Sequence, residues 1–247
     1  MFSQYIALGD SLSIDMYPAL DAGETDVAVA LERVPTAGSV APIGAASLLY
    51  RNDDARWPDE AGTDLATANP AIEHANLAAE GATIGDVFGE QLAAVQPSDV
   101  PTLFTLTIGG EDIFSAYRNE PSMRLLKRIA RDVSEAYDAL LARIVEIRPE
   151  ATVLVTTLCD PSDRTGRIPG VLEGARLPLL PIDTVNQHIR ARAAESTHLV
   201  LADAYVHFLG HGSSVPEGER WYWRRSPLEP NAVGANELRK VWVEALR

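Results

Sequence analysis

Five short, almost uninterrupted apolar runs punctuate the chain, and they narrow what it can fold into more than any other feature. They lie at residues 4–10 ("QYIALGD"), 74–81 ("HANLAAEG"), 102–110 ("TLFTLTIGG"), 151–160 ("ATVLVTTLCD") and 198–206 ("HLVLADAYV"). A strand with one face in water alternates apolar and polar residues, whereas a run apolar at nearly every position suits a strand covered on both faces, as in a parallel sheet. Helical patterns lie between the runs. The clearest spans 122–148, where Leu126, Ile129, Val133, Ala136, Leu140 and Ile144 recur at steps of three and four and Pro149 follows. A last helix is expected over about residues 231–246. The expected fold class is α/β: a single doubly wound domain over residues 1–247, with a five-stranded parallel sheet and helices on both faces. Residues 18–70 carry apolar clusters such as "PIGAASLLY" among Ala, Asp and Pro, and read as an insertion rather than as disorder.

Charge and cysteine content then remove several function classes. A formal net charge of -14 disfavours nucleic acid and anionic membranes as partners, because both are held largely by Lys and Arg neutralising phosphates. The single cysteine, Cys159, rules out an internal disulfide and reads as a small buried hydrophobe. No stretch of about 18 apolar residues is present to span a bilayer. The opening "MFSQYIALGD" has neither a basic leader nor a long apolar segment, so a cytoplasmic location is expected.

In a sheet of this kind ligands bind beyond the carboxyl ends of the strands. The residues found there are Gly9-Asp10-Ser11 after the first run, Gly81 after the second, Gly109-Gly110-Glu111-Asp112 after the third, Asp160-Pro161-Ser162-Asp163 after the fourth and "HFLGHG" after the fifth. A serine, several glycines and two histidines converge on one edge. Ser11 has a plainer reading as a helix N-cap. Cys159 and the acidic turn residues have plainer readings too, since turns favour Asp.

Four ordered segments resemble the SGNH, or GDSL, hydrolase family of esterases and acyl hydrolases. "GDSLS" is similar to the nucleophile block, "NLAAEGATIGDV" to the glycine block, "TLTIGGEDIF" to the Gly-x-Asn-Asp block, and "PLEPNAVGANELRKVW" to the closing block, usually Asp-x-x-His-Pro-Asn. The resemblance implies a Ser11 nucleophile, an acyl-enzyme intermediate, a small-molecule ester or acylated substrate and no cofactor. It also implies an oxyanion hole built from the N–H groups of Ser11 and Gly81 and the side chain of residue 111, with Gly110 beside it.

Two of the blocks depart from the family pattern. Residue 111 is Glu, and an ionised carboxylate donates no hydrogen bond to an oxyanion. The closing block has Ser226 and Glu229 where the family has Asp and His. A serine hydroxyl needs a base, and His74, His188 and His198 lie on strand starts or a helix, where structural roles are expected. His211, flanked by Gly210 and Gly212, is the preferred replacement, with Asp203 placed to orient an imidazole. His207 and Glu229 are the alternatives, the latter if burial lifts its pKa. Near Glu229, "RWYWRRSPLEP" offers Trp221, Tyr222 and Trp223 as an apolar wall, and Arg220, Arg224 and Arg225 to hold Glu229 ionised or meet an anionic substrate. The 18–70 stretch and residues 162–178 are expected to shape the pocket. Two rival functions stand beside the hydrolase: a binding protein on an inactive hydrolase fold, and a metal-assisted hydrolase using Asp10, Asp15, Glu111, Asp112, Asp160 and Asp163.

Overall fold

The computed structural model of the chain describes residues 2–32, 42–117, 122–171 and 176–247. Strands β1 (Gln4–Gly9), β2 (Glu73–Asn76), β3 (Thr102–Thr107), β4 (Ala151–Thr156) and β5 (Leu199–Ala202) form one parallel sheet in the order β2-β1-β3-β4-β5. The expected α/β class, strand number and parallel pairing are all present. Successive side chains leave opposite faces of a strand, and the two cores divide accordingly. Ile6, Leu8, Phe104, Leu106, Val153 and Val155 face one core, closed by the helices Met123–Ile147 and Leu179–Glu195. Tyr5, Ala7, Leu103 and Leu154 face the other, closed by the helices Ala45–Tyr50 and Ala232–Ala245.

Both faces are dry, which is why the strands read as near-continuous apolar runs. Leu238 and Trp242 of the last helix are fully buried, and each such side chain contributes about 1.5 to 3 kcal/mol of transfer free energy. Two of the long helices begin where the sequence places them: Ser122 accepts from the Leu125 N–H at 3.2 Å and Asn231 from the Gly234 N–H at 2.7 Å, each a side-chain N-cap.

Three features differ from the sequence expectation. The strands are shorter: β2 ends at Asn76 and β5 at Ala202. Beyond Asn76 the chain still follows β1, with Leu77 and Ala79 N–H groups donating to Ala7 and Gly9 carbonyls. Beyond Asp203 the apolar residues belong instead to a short helix, Ala204–Phe208. The 18–70 stretch is not a peripheral insertion, because Ala45, Ala46 and Leu49 lie in the core against β1 and β3; its residues 33–41 fall outside the described ones, as do 172–175 of the segment expected to shape the pocket. A hairpin of β6 (Tyr222–Trp223) and β7 (Ser226–Pro230), antiparallel and irregular in register, precedes the last helix. The sequence reading gave no strand there.

Candidate active site

The order β2-β1-β3 means that the chain leaves β1 for one neighbour and returns beside it on the other, so a crevice opens at the carboxyl ends of β1 and β3. Ser11 stands at this crevice, as the first residue of a 3-10 turn, Ser11–Ser13, that follows β1 directly. The turn is fixed from every side. Asp10 donates its N–H to the Thr107 carbonyl at 2.8 Å and accepts from the Leu12 N–H at 3.2 Å. The Gln91 amide clamps Gly9 with two bonds of 2.8 Å, donating to its carbonyl and accepting from its N–H. Ser13 bonds Thr107 at 2.8 Å, and Asn76 donates to the Ser13 carbonyl at 3.1 Å. Gly9 is obligatory: its φ is +124°, and a Cβ there would stand 1.9 Å from the Thr107 carbonyl oxygen.

Glu229 reaches the same crevice from β7. The Ser11 hydroxyl lies within hydrogen-bonding reach of its carboxyl. Burial pushes the Glu229 carboxyl up to about 7; the Ser11 hydroxyl opposes that shift, and the negative charges of Glu80 and Glu111 add to it. Its Oε2 is buried with no hydrogen-bond partner among the described residues. Asp10 is likewise pushed up to about 7, first by burial, then against its Leu12 N–H bond and with help from the charge of Glu229. Both carboxyls are thus held well above the usual carboxylate range, each first by burial.

The glycine and acidic blocks meet through Asp112, which accepts from the Ile84 N–H at 3.0 and 3.3 Å. Gly81 has φ +65°, so its left-handed backbone turns the loop at the crevice. Gly110 opens the helix Gly110–Tyr117 beside Asp10, whose Oδ2 would lie 3.9 Å from a Cβ at Gly110. Glu111 follows it and accepts from Ser115 one helical turn on. Among the described residues, neither the Ser11 nor the Gly81 N–H donates to another group.

The histidines make their described contacts elsewhere, including His211, the preferred base. Its ring lies flat on Trp221, with centroids 3.6 Å apart and planes 4° from parallel, and its Nδ1 faces the Glu219 carbonyl at 3.3 Å. The flanking glycines serve the loop rather than catalysis. Gly210 and Gly212 N–H groups donate to Asp163, and a Cβ on Gly212 would stand 2.4 Å from the Pro161 carbonyl oxygen. His207 pairs with Glu237 at 2.9 Å. Asp203 does not orient an imidazole; it takes a two-bond clamp from Arg190, both at 2.8 Å, and a bond from Thr157 at 3.0 Å.

The arginines expected to face Glu229 are also engaged elsewhere: Arg220 with the Val215 carbonyl, Arg224 with Glu217 and Arg225 over the Trp223 ring. Of the aromatic run, Trp223 comes nearest the crevice, packed 5.6 Å from Tyr17, whose hydroxyl bonds Glu80 and which feels the charge of Glu229. Tyr222 is buried in the core and Trp221 stacks on His211.

The acidic residues offered for a metal are dispersed as loop anchors. Asp15 holds Gly44 and Ser47, Asp160 holds Ser162 and Arg164 backbone groups, and Asp163 holds the Gly210–Gly212 loop. Among the described residues no three acidic, His or Cys groups gather as a metal site, and no helix is long and apolar enough to cross a membrane. Sequence reasoning missed Gln91 and Tyr17; a buried glutamine clamp and a tyrosine across the crevice leave no local signature in the sequence.

Residues 7–236 match the GDSL-like lipase/acylhydrolase family. Comparison with curated protein sequences gives no match. Similar solved structures include phospholipase A1 from Streptomyces albidoflavus NA297, 21% identical, covering 100% of this chain and 98% of that one at a TM-score of 0.61. An extracellular lipase from Streptomyces rimosus is 21% identical, covers 99% and 98%, and also has a TM-score of 0.61. An acetylxylan esterase from Geobacillus stearothermophilus is 14% identical, covers 99% and 94%, and has a TM-score of 0.59. At these identities the likeness is one of fold.

Proposed function

The chain belongs to the GDSL-like lipase/acylhydrolase family, an ester-cleaving class, and from that premise we propose that Ser11 is its nucleophile and that Glu229, in the place of a histidine, takes the hydroxyl proton. The observation that carries this reading is the Ser11 hydroxyl within reach of a Glu229 carboxyl whose pKa burial raises to about 7. A carboxylate of ordinary acidity is a poor base for a serine hydroxyl, and raising its pKa toward the working pH improves the match.

In the first half-reaction Ser11 Oγ attacks the ester carbonyl carbon while its proton passes to ionised Glu229. The tetrahedral oxyanion collapses, and the leaving alcohol takes the proton back. In the second half, Glu229 removes a proton from water, the hydroxide adds to the acyl-serine, and the carboxylic acid leaves as Ser11 recovers its proton. The N–H groups of Ser11 and Gly81 supply the donors for the oxyanion. Glu111 supplies none, and the loss of one such donor costs about 3 kcal/mol in other hydrolases, so this is a slow esterase on simple activated esters. The substrate is a small ester or acylated molecule, and no cofactor takes part.

A fluorophosphonate probe with a p-nitrophenyl ester assay tests the reading. Ser11 carries the label, and Ser11→Ala loses both label and turnover. Undiminished turnover in Ser11→Ala overturns Ser11 as the nucleophile, and wild-type protein with neither label nor turnover supports instead the binding protein on an inactive fold.

A further inference from the structure

Gln91 is a polar side chain turned inward, only 6% exposed. It ends a π turn, Val87–Gln91, that continues the short helix capped by Thr83, and the Leu92 N–H closes that turn on the Val87 carbonyl five residues back. Single turns of this kind are rare and frequent at functional sites. Here the turn aims the Gln91 amide at one peptide unit. Its Oε1 accepts from the Gly9 N–H and its Nε2 donates to the Gly9 carbonyl, both at 2.8 Å, where the neighbouring strand has already ended at Asn76. The Gly9 carbonyl also accepts from the Ala79 N–H at 3.0 Å. Gly9 precedes Ser11 by two residues and Ala79 precedes Gly81 by two, so one carbonyl ties together the loops that carry the Ser11 and Gly81 N–H groups. The far end of the glycine loop is held as well, since the Thr83 N–H donates to Asp86 at 2.8 Å and the Ile84 N–H to Asp112 at 3.0 Å. The loop is thus a closed ring of bonds, and Gln91 is its link back to β1.

We infer that Gln91 is a positioning residue for the reaction: its amide sets the placement of the Ser11 and Gly81 N–H groups relative to each other, and so shapes the pair that receives the oxyanion. The inference rests on the hydrolase reading of Ser11. With Glu at position 111 supplying no side-chain donor, the oxyanion depends on two backbone groups carried by different loops. A side-chain donor can adjust its own rotamer, whereas a backbone N–H goes only where its loop goes. Without the Gln91 link the two loops shift against each other, and a displacement of about 1 Å at a reacting group costs about 10²-fold in rate. That loss falls on the transition state, where the oxyanion develops, rather than on ground-state binding.

The test uses two variants. Gln91→Met keeps the length of the side chain and removes both bonds to Gly9, and Gln91→Asn keeps the amide on a stem one methylene too short to make them. Either leaves the buried Gly9 N–H without its acceptor, so Tm falls on any reading, and rates are therefore taken per folded molecule from a denaturant titration. On a p-nitrophenyl ester both variants should lose about 10- to 100-fold in kcat while KM stays within about threefold. Inhibition by a trifluoromethyl ketone, whose adduct with Ser11 carries the oxyanion, should weaken by a similar factor, which a residue that only supports the fold would not cause. Gly212→Ala, destabilised in the other loop, should keep the wild-type value of both. A kcat within about threefold of wild type, a loss carried by KM instead, or a fall in kcat without weaker binding of the ketone overturns the inference while the hydrolase reading stands. If Gln91→Met does not fold, Gln91→Asn decides on the same readings. Wild-type protein with neither turnover nor a fluorophosphonate label overturns the hydrolase reading and the inference with it.

Discussion

Two loops at the same edge of the sheet have the same outward look, a reactive side chain set among glycines just after a strand, yet they work differently. After β1, Gly9 allows the backbone to pass 1.9 Å, measured from its would-be Cβ, from the Thr107 carbonyl. The strand therefore turns sharply and Ser11 emerges facing Glu229. After β5, Gly212 permits a similarly close pass, 2.4 Å from the Pro161 carbonyl, but there the approach serves the Asp163 anchor, and the imidazole between the glycines is fixed against Trp221. A glycine-flanked functional group is thus a statement about backbone packing. Whether it is also a statement about chemistry depends on what the side chain meets.

The largest effect that separates the two loops is catalytic. Glu229→Gln keeps the shape of the side chain and removes its basicity, so kcat/KM on a p-nitrophenyl ester should fall about 10²- to 10⁴-fold. His211→Ala should change it by less than about threefold, as expected for a residue that supports only a surface stack. The reverse order would break the comparison and restore the histidine as base.

The next effect is on stability. Gly9→Ala places a methyl group inside the Thr107 carbonyl and forces a left-handed backbone, so it should cost about 2 kcal/mol or more and lower Tm along with activity. Gly212→Ala should also lower Tm, but the folded fraction should retain wild-type turnover. Denaturant titration paired with activity per folded molecule distinguishes the two.

A third effect follows from Asp10 and Glu229. Both carboxyls have folded-state pKa values raised to about 7, above the unfolded values near 4. Between those limits the folded state binds more protons than the unfolded one, so stability falls as pH rises from about 4 through 7 and is regained on acidification. The amplitude is on the order of several kcal/mol for the pair, from about three pKa units each at about 1.4 kcal/mol per unit, and Asp10→Asn or Glu229→Gln should flatten the slope of Tm between pH 5 and pH 8, taken here as about the limits of the titration.

The smallest effect runs upward. Glu111→Asn restores an amide donor at the third oxyanion position, and turnover of a neutral ester should rise about tenfold, less than the full value of such a donor because Glu111 now turns toward Ser115. A fall instead would mean that the Glu111 charge helps the reaction on neutral esters, chiefly by keeping Glu229 basic.

Much of the fold was legible because burial on both faces writes itself directly into the strands, as in Phe104, Leu106, Val153 and Val155. Strand ends were less legible: Ala204 and Tyr205 are as apolar as the strand before them, and only the helical turn beyond Asp203 separates the two. Ser11, Gly81 and the unusual Glu229 could be picked out from motif order. The partner of Ser11 could not, because it depends on a short irregular hairpin whose Tyr222–Trp223 and Ser226–Pro230 strands carry no clear period, and because His211 stacking on Trp221 is a contact between residues whose sequence spacing has no regular geometry.

The central claim, that Glu229 takes the Ser11 proton, is tested most directly by the rate at which a fluorophosphonate labels Ser11 as a function of pH. Labelling needs the activated hydroxyl and involves neither deacylation nor product release. The wild-type rate should rise with pH through a midpoint near 7, following ionisation of the raised Glu229 carboxyl, should keep that midpoint in His211→Ala, and should be slow and without it in Glu229→Gln. Fast labelling of Glu229→Gln with the wild-type midpoint, or loss of labelling in His211→Ala, would contradict the account.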